Sequence, residues 1–326
     1  MTSRRTESAP RVEPKVPLLL ADDGRRSMDR HASVLGRATA RVPGTCGELV
    51  QGTLGGLPFH VSCPVDVYST VTVELTDRPG VQHPPDSPKA GAGARATLEH
   101  LGARVGARVS LRSDLPRGKG MGSSTADVAG AIGACARALD VELDAATVAR
   151  LALSVEPTDG SVFPGIVLFD HRRGALFEPL GEAPPLEIAV LDFGGEVDTL
   201  EFNAVDRSEL LRSSEPEVAE ALSLVRRGIA EGQLDLLGRG ATISALANQR
   251  VLPKPQLPSV LGFAEWIGAL GVNVGHSGTV LGVLLDPARH DAREVLALAR
   301  GELPGLALAL ACRLIGGGVV AVVPEC

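Results

Sequence analysis

Aromatic residues are scarce in this 326-residue chain: seven Phe, one Trp and one Tyr make up 3% of it. So few rings argue against an aromatic carbohydrate-binding face or a stacking platform for single-stranded nucleic acid. Cysteine is sparse too. The five (Cys46, Cys63, Cys135, Cys312, Cys326) form no CxxC pair. An odd, scattered set argues against a disulfide framework or a zinc site and suits a reducing cytosol. There is no excess of positive charge: the net charge is −7 and the pI is about 5.6. An acidic surface repels phosphate backbones, so nucleic acid is not an expected partner. No apolar run reaches the ~20 residues of a membrane span. The longest near the C-terminus, 306–323, is broken by Arg313 and by Gly316, Gly317 and Gly318, and reads as two buried strands and a turn. Arg4, Arg5, Glu7 and Arg11 are followed only by the short Val16–Ala21 run, which is not a signal-peptide core. A cytoplasmic protein is expected.

What is present is a globular composition, with 44% hydrophobic and 22% charged residues. The length predicts one large or two modest domains. Residues 1–37 stand apart, with eight Lys/Arg, five Asp/Glu and no sustained periodicity. They read as a disordered tail. Short β-rich runs follow at 38–43, 58–63 and 67–75, and Ser69–Leu75 alternates apolar and polar residues as a half-buried strand does. The spacing predicts helices over 88–102, 123–139 and 144–155, with Asp144 as an N-cap. Strands are expected at 107–111, 166–169 and 176–180. Gly, Glu, Ala and two prolines cluster at 181–185 and mark a domain boundary. Beyond it the pattern predicts a strand at 186–193, helices at 214–227 and 234–248, and a proline-broken loop at 251–258. A helix at 260–270, a strand at 280–285, a helix at 288–300 and strands at 306–312 and 319–323 complete it. Mixed strands and helices indicate an α+β fold. The division is a tail over 1–37, a first domain over 38–183 and a second domain over 184–326.

The sharpest signal is Leu115-Pro-Arg-Gly-Lys-Gly-Met-Gly-Ser-Ser-Thr-Ala126. Glycines alternate at 118, 120 and 122, and two serines and a threonine then open a long helix. Glycine lets backbone N–H groups approach an anion and permits positive φ. The helix N-terminus adds unsatisfied N–H groups and partial positive charge. Lys119 adds a cation. Ser123 and Ser124 can cap the helix, touch phosphate oxygens or ligate Mg²⁺, which prefers oxygen. The bland alternative is a mobile glycine turn with serine caps, but the strand–loop–helix context favours a phosphate cradle. It is neither a Walker A loop, because Lys119 precedes the last glycine, nor a Rossmann fingerprint, because it lies mid-domain.

Two further segments accompany this loop: Arg41-Val-Pro-Gly-Thr-Cys-Gly-Glu-Leu-Val-Gln-Gly52 and Gly271-Val-Asn-Val-Gly-His-Ser-Gly-Thr-Val-Leu-Gly282. Together the three motifs resemble the GHMP family of small-molecule kinases, over 38–326. Only Met121, in place of leucine, departs from the core of the second motif. Within the family the chain is most similar to the L-threonine kinases of cobalamin biosynthesis, through 44–52, 276–282 and Glu156-Pro-Thr-Asp-Gly-Ser-Val-Phe-Pro-Gly165. The resemblance implies a domain like ribosomal protein S5 domain 2, then a ferredoxin-like domain, with the active site between them. It implies ATP and Mg²⁺ as cofactors and L-threonine as the hydroxyl acceptor. The product is then L-threonine O-3-phosphate, a precursor of the corrinoid's aminopropanol linker. A homodimer is compatible with it. Another small hydroxyl acceptor such as homoserine, or an inactive nucleotide-binding regulator, are the alternatives. Retention of Glu156 and Asp159 speaks against a regulator.

The resemblance implies that Pro116, Arg117, Gly118, Lys119, Gly120, Met121, Gly122, Ser123, Ser124 and Thr125 hold the nucleotide. Ser124 and Glu156 are the implied Mg²⁺ ligands, and Ser124 and Asp159 the catalytic residues, with Asp159 facing the acceptor hydroxyl. Phosphoryl transfer depends on positioning and charge neutralisation, and a carboxylate can take the hydroxyl proton. Thr45 stands where mevalonate kinase-like members carry a lysine. A relay without a strong base is therefore the alternative to Asp159 acting as one. Glu48, Gln51, His276 and Ser277 are candidate substrate contacts. Glu48 or Asp192 could hold an ammonium, and each has the competing reading of an ordinary strand-end residue. Cys46, with no His/Asp pair to activate it, is expected to be a small buried hydrophobe.

Overall fold

The computed structural model describes residues 33–195 and 207–322. Its spine is a hairpin of two very long antiparallel strands, β1 (Val34–Leu54) and β2 (Leu57–Thr76). The alternating run lies on β2, with Val71, Val73 and Leu75 buried, as a two-residue period requires. β1 begins at Val34, so residues 34–37 belong to the sheet and not to the expected tail. Residues 1–32 lie outside the described residues. β1 is not regular. Its pairing with β2 slips between Pro43 and Gly44 and again across Thr45–Glu48. Such bulges bend a strand and re-aim its side chains. The second one turns Glu48 onto Val274 of the other half of the molecule. Gly47 is required there, because its φ is +55° and a Cβ would overlap the Val274 carbonyl.

The first half adds β3 (Val81–Gln82), α1 (Pro88–His100), β4 (Gly106–Ser113), α2 (Ser123–Ala138) and α3 (Ala145–Leu153). A single 3-10 turn (Gly160–Val162) leads into β5 (Ile166–Phe169) and β6 (Phe177–Gly181). In α2 only Ser123, Ser124 and Arg137 escape burial. A helix buried all round carries no apolar stripe, which is why its sequence reads as a continuous Ala/Gly-rich run. Asp144 caps α3 as expected, its Oδ1 accepting the Thr147 N–H at 2.6 Å.

The second half holds β7 (Glu187–Asp192), α4 (Ser208–Ser213), α5 (Glu215–Glu231), α6 (Leu234–Asn248) and α7 (Leu257–Trp266). β8 (Gly271–Val274), β9 (Leu281–Leu285), α8 (Ala292–Glu302), β10 (Leu308–Arg313) and β11 (Val320–Val322) follow. Its four antiparallel strands run in the order β10-β7-β9-β8, a ferredoxin-like arrangement. The bridge from β8 to Glu48 of β1 joins both halves into one sheet.

Four elements differ from or add to the sequence expectations. Helix α7 starts at Leu257, inside the expected loop, where Pro258 takes a first-turn position that needs no N–H. Gly271–Val274 of the third motif is a buried strand. Helix α4 was not expected; none of its residues is buried, so it has no core-facing stripe to read. The final strand, β11, is exposed along its length because it pairs on the edge of β1, Thr39 with Val322 and Arg41 with Val320. The chain reaches that edge by crossing back to the first half. Ile315 N–H donates to Pro64 O at 3.0 Å, Gly317 N–H to Gly165 O at 3.0 Å and Gly318 N–H to Ser161 O at 2.8 Å. Among the described residues no helix is long and apolar enough to cross a membrane.

The α3 cap gives a clean stability test. Asp144→Ala should cost about 1 kcal/mol, the usual value of an N-cap. Thermal or denaturant unfolding reads this loss, Asp144→Ser should restore most of it, and the KM for ATP should not move.

Candidate active site

The loop 115–122 leaves β4 and enters α2 through Gly122, whose φ is +65°. No side chain caps α2, and no acid lies in its first turn. The positive end of a buried helix is thus left open for an anion. The loop is held from the other side by the turn of the third motif. Thr279 and Val280 N–H both donate to Lys119 O, at 3.0 and 3.1 Å. Here the two backbones touch with nothing between them: a Cβ on Gly120 would lie 2.8 Å from Gly278 Cα, and one on Gly278 would overlap Lys119 O. Beside this contact opens a cleft with about 1310 Å³ of empty space, counting its mouth.

One wall carries the acids. Ser124 Oγ donates to Glu156 Oε1, and Lys89 Nζ lies 2.5 Å from the other oxygen, Oε2. Asp159 sits one turn of chain further on, its N–H bonded to Thr125 Oγ1 at 3.2 Å. Burial, reinforced by the Glu156 charge, pushes its carboxyl up to about 6, against the smaller opposing effect of Thr125.

The far end of the cleft is polar and buried. Glu48 is buried, and its Oε2 accepts the His276 N–H at 2.8 Å. Burial, then the Asp159 charge, holds its carboxyl well above the usual range. Around it stand three histidines. His60 and His171 stack with centroids 3.7 Å apart and planes 7° from parallel, and His276 lies 4.3 Å from His60. Burial above all lowers the proton affinity of all three, pushing His171 down to about 3. Ring nitrogens of the three lie within 4.8 Å of one another. The stacked rings nonetheless aim their in-plane lone pairs along separate parallel planes, which does not fit a shared metal ion. His171 is placed by a turn in which Asp170 accepts the N–H groups of Arg172, Arg173 and Ala175.

The structure brings together most residues singled out from the sequence. Glu48, Ser123, Ser124, Glu156, Asp159, His276 and Ser277 line the cleft, with Gly118, Gly120, Gly122 and Thr125. Met121 contributes backbone only. Its side chain is in the core, and its carbonyl accepts the Thr45 N–H at 2.9 Å. Gln51 stands behind the wall, 2.8 Å from His276 Nδ1. Three others point away. Pro116 does not line the cleft. Arg117 pairs with Asp86 at 2.9 Å, and Lys119 with Asp192 at 3.0 Å. Asp192 therefore has its cation already. Cys46 is buried and free. His60, His171, Lys89 and Lys254 went unread. The first two fall in no motif, although a histidine inside the apolar run 58–63 is itself a signal. Lys254, buried, donates to Gly278 O at 2.7 Å from a stretch read as plain loop.

Residues 89–166 match the family described as GHMP kinases N terminal domain, and 221–301 match GHMP kinases C terminal. The L-threonine kinase of Salmonella typhimurium (strain LT2) is 38% identical over 270 residues, covering 82% of this chain and 87% of that protein. The chain belongs to the GHMP kinase family. The L-threonine kinase of Citrobacter freundii is 37% identical over 264 residues, covering 78% of this chain and 88% of its own. The crystal structure of homoserine kinase from Cytophaga hutchinsonii shares the fold, with a TM-score of 0.69 at 18% identity over 92% of this chain and all of that one. As a GHMP kinase, the protein is an ATP-using phosphotransferase with a hydroxyl acceptor, and the α+β fold read from the sequence is the family's.

Two outcomes test this geometry. Gly278→Ala inserts a methyl where backbone meets backbone. Overpacking costs ~1–3 kcal/mol, so the melting temperature should fall and the KM for ATP rise about tenfold, both read directly. The second concerns acid. Unfolded histidine takes a proton near pH 6.5, whereas folded His171 resists until about 3. Its contribution to stability is therefore full above pH 6.5 and is lost as pH falls toward 3. At pH 5 the loss is about 2 kcal/mol. A melting series from pH 7.5 to 5 should decline less steeply in His171→Asn than in the parent. Equal slopes would refute it.

Proposed function

We propose that the protein transfers the γ-phosphate of ATP to the side-chain hydroxyl of L-threonine, giving L-threonine O-3-phosphate for cobalamin biosynthesis. The observation that carries the reaction type is the arrangement at α2, where an uncapped helix end, the Ser124–Glu156 pair and Asp159 share one cleft. The acceptor follows from the two L-threonine kinases that match over most of their length.

The triphosphate lies along Gly118–Ser124, held by loop N–H groups and the helix end. Lys89, also lining the cleft, supplies positive charge beside it. Ser124 and Glu156 offer hard oxygen donors side by side, which fits Mg²⁺. When bound, Mg²⁺ neutralises phosphate charge. Asp159 faces the acceptor hydroxyl, and its raised proton affinity suits a base working near neutral pH. As the bond from the threonine oxygen to Pγ forms and the bond from Pγ to the β,γ-bridging oxygen breaks, Asp159 takes the hydroxyl proton and ADP leaves. Residues 38–183 act as the nucleotide-binding domain and 184–326 as the second domain. The setting is the cytoplasm.

ADP release measured with Mg-ATP and L-threonine, L-serine, L-homoserine or mevalonate tests the assignment. Highest turnover on anything but L-threonine would overturn it. Two variants separate the acids. Glu156→Gln should be partly rescued by raising Mg²⁺, with the KM for L-threonine little changed. Asp159→Asn should lose roughly 10²–10⁴-fold in kcat with no Mg²⁺ response. A loss under about tenfold would favour the relay without a strong base.

A further inference from the structure

The far end of the cleft holds polar groups that phosphoryl transfer itself does not use. His60 is 3% exposed, yet neither of its ring nitrogens has a hydrogen-bond partner, and Nδ1 of the 6%-exposed His171 has none either. Buried polar groups are nearly always satisfied, so such orphans need an explanation. Both rings line the cleft. Facing them are two acids. Oxygens of Glu48 and Asp159 and a ring nitrogen of His60 all lie within 4.8 Å of one another. Two carboxylates so close at a buried site repel, and the buried lysine whose charge reaches Glu48, Lys254, donates to Gly278 O. Each histidine, in any protonation state, offers at least one N–H donor.

We propose that Glu48 and the stacked pair His60–His171 form a receptor for the acceptor's zwitterion, with Glu48 taking the α-ammonium and the two imidazoles taking the α-carboxylate. The inference rests on the function proposed above and names the groups that select its substrate. An ammonium beside Glu48 relieves the repulsion with Asp159, and a carboxylate accepts the one N–H that each neutral ring offers. The spacing suits a β-hydroxy amino acid, whose ammonium and carboxylate share one carbon and whose hydroxyl sits on the next. His276 acts as a positioning residue. Its backbone N–H orients Glu48 Oε2, and its ring is held by Gln51.

Two acceptor analogues read the two halves of the receptor. (R)-1-Amino-2-propanol lacks the carboxylate, and (R)-3-hydroxybutyrate lacks the ammonium. A site built around a polar group rejects the analogue that lacks it. With the full-length enzyme each should show kcat/KM at least ~100-fold below L-threonine. His171→Asn should lower kcat/KM for L-threonine on the order of tenfold or more and leave that for 1-amino-2-propanol unchanged, so that discrimination against this analogue shrinks. Glu48→Gln should do the same for 3-hydroxybutyrate. The KM for ATP should stay constant in both, which a merely structural defect would not spare. Equal loss on L-threonine and analogue would overturn the receptor. If neither variant folds, the parent decides alone: analogues used as well as L-threonine would overturn the receptor while leaving the kinase assignment intact. Absence of L-threonine turnover, with another acceptor phosphorylated, would instead remove the assignment itself.

Discussion

The contact on which the site depends is backbone against backbone. Lys119 O receives two N–H groups from the turn after β8, and Gly120 lies against Gly278 with no side chain between. Lys254 grips the same turn through Gly278 O. This fixes the loop 115–122 in the first half relative to the turn in the second. It also sets where His276 stands, and hence how Glu48 is oriented. The bulge in β1 is the matching constraint on the other strand, since it is what brings Glu48 to Val274.

Desolvation governs the rest of the site. The same burial raises the proton affinity of Glu48 and Asp159 and lowers that of His60 and His171. Burial resists charge of either sign, so the groups differ in direction but share a cause. The two ends of the cleft differ in chemistry. One offers an uncapped helix end and Lys89, which suit a polyanion, and the other a cluster of acids and imidazoles.

Much of this was legible in the sequence, for physical reasons. The alternation in Ser69–Leu75 announced β2, and Asp144 announced α3. The spacing of Gly118, Gly120 and Gly122 before Ser123 and Ser124 marked the loop, because an anion cradle demands small residues and a helix start together. Glu156 and Asp159 were found through a motif. Other features left no local trace. β8 hid inside a glycine-rich motif, since a four-residue buried strand has too few positions to show a period. His60 and His171 are 111 positions apart and meet only because β2 pairs with β5, His60 opposite Phe169. Lys119 was read as a phosphate ligand from its place in the loop, yet its side chain reaches Asp192, a partner 73 residues away.

The return of residues 314–322 to the first half has a consequence for biosynthesis. On the ribosome, the strands and helices of the first half emerge well before this segment does. Until it arrives, the Thr39–Arg41 edge of β1 lacks β11, and Ser161 and Gly165, just beyond Asp159, lack the amides that brace them. An open strand edge invites wrong pairing while the chain is still growing. Vectorial synthesis therefore delivers the glycine loop early and the support of the acid-bearing segment late. A complete site thus waits on residues 314–322 and is not a property of the first half alone.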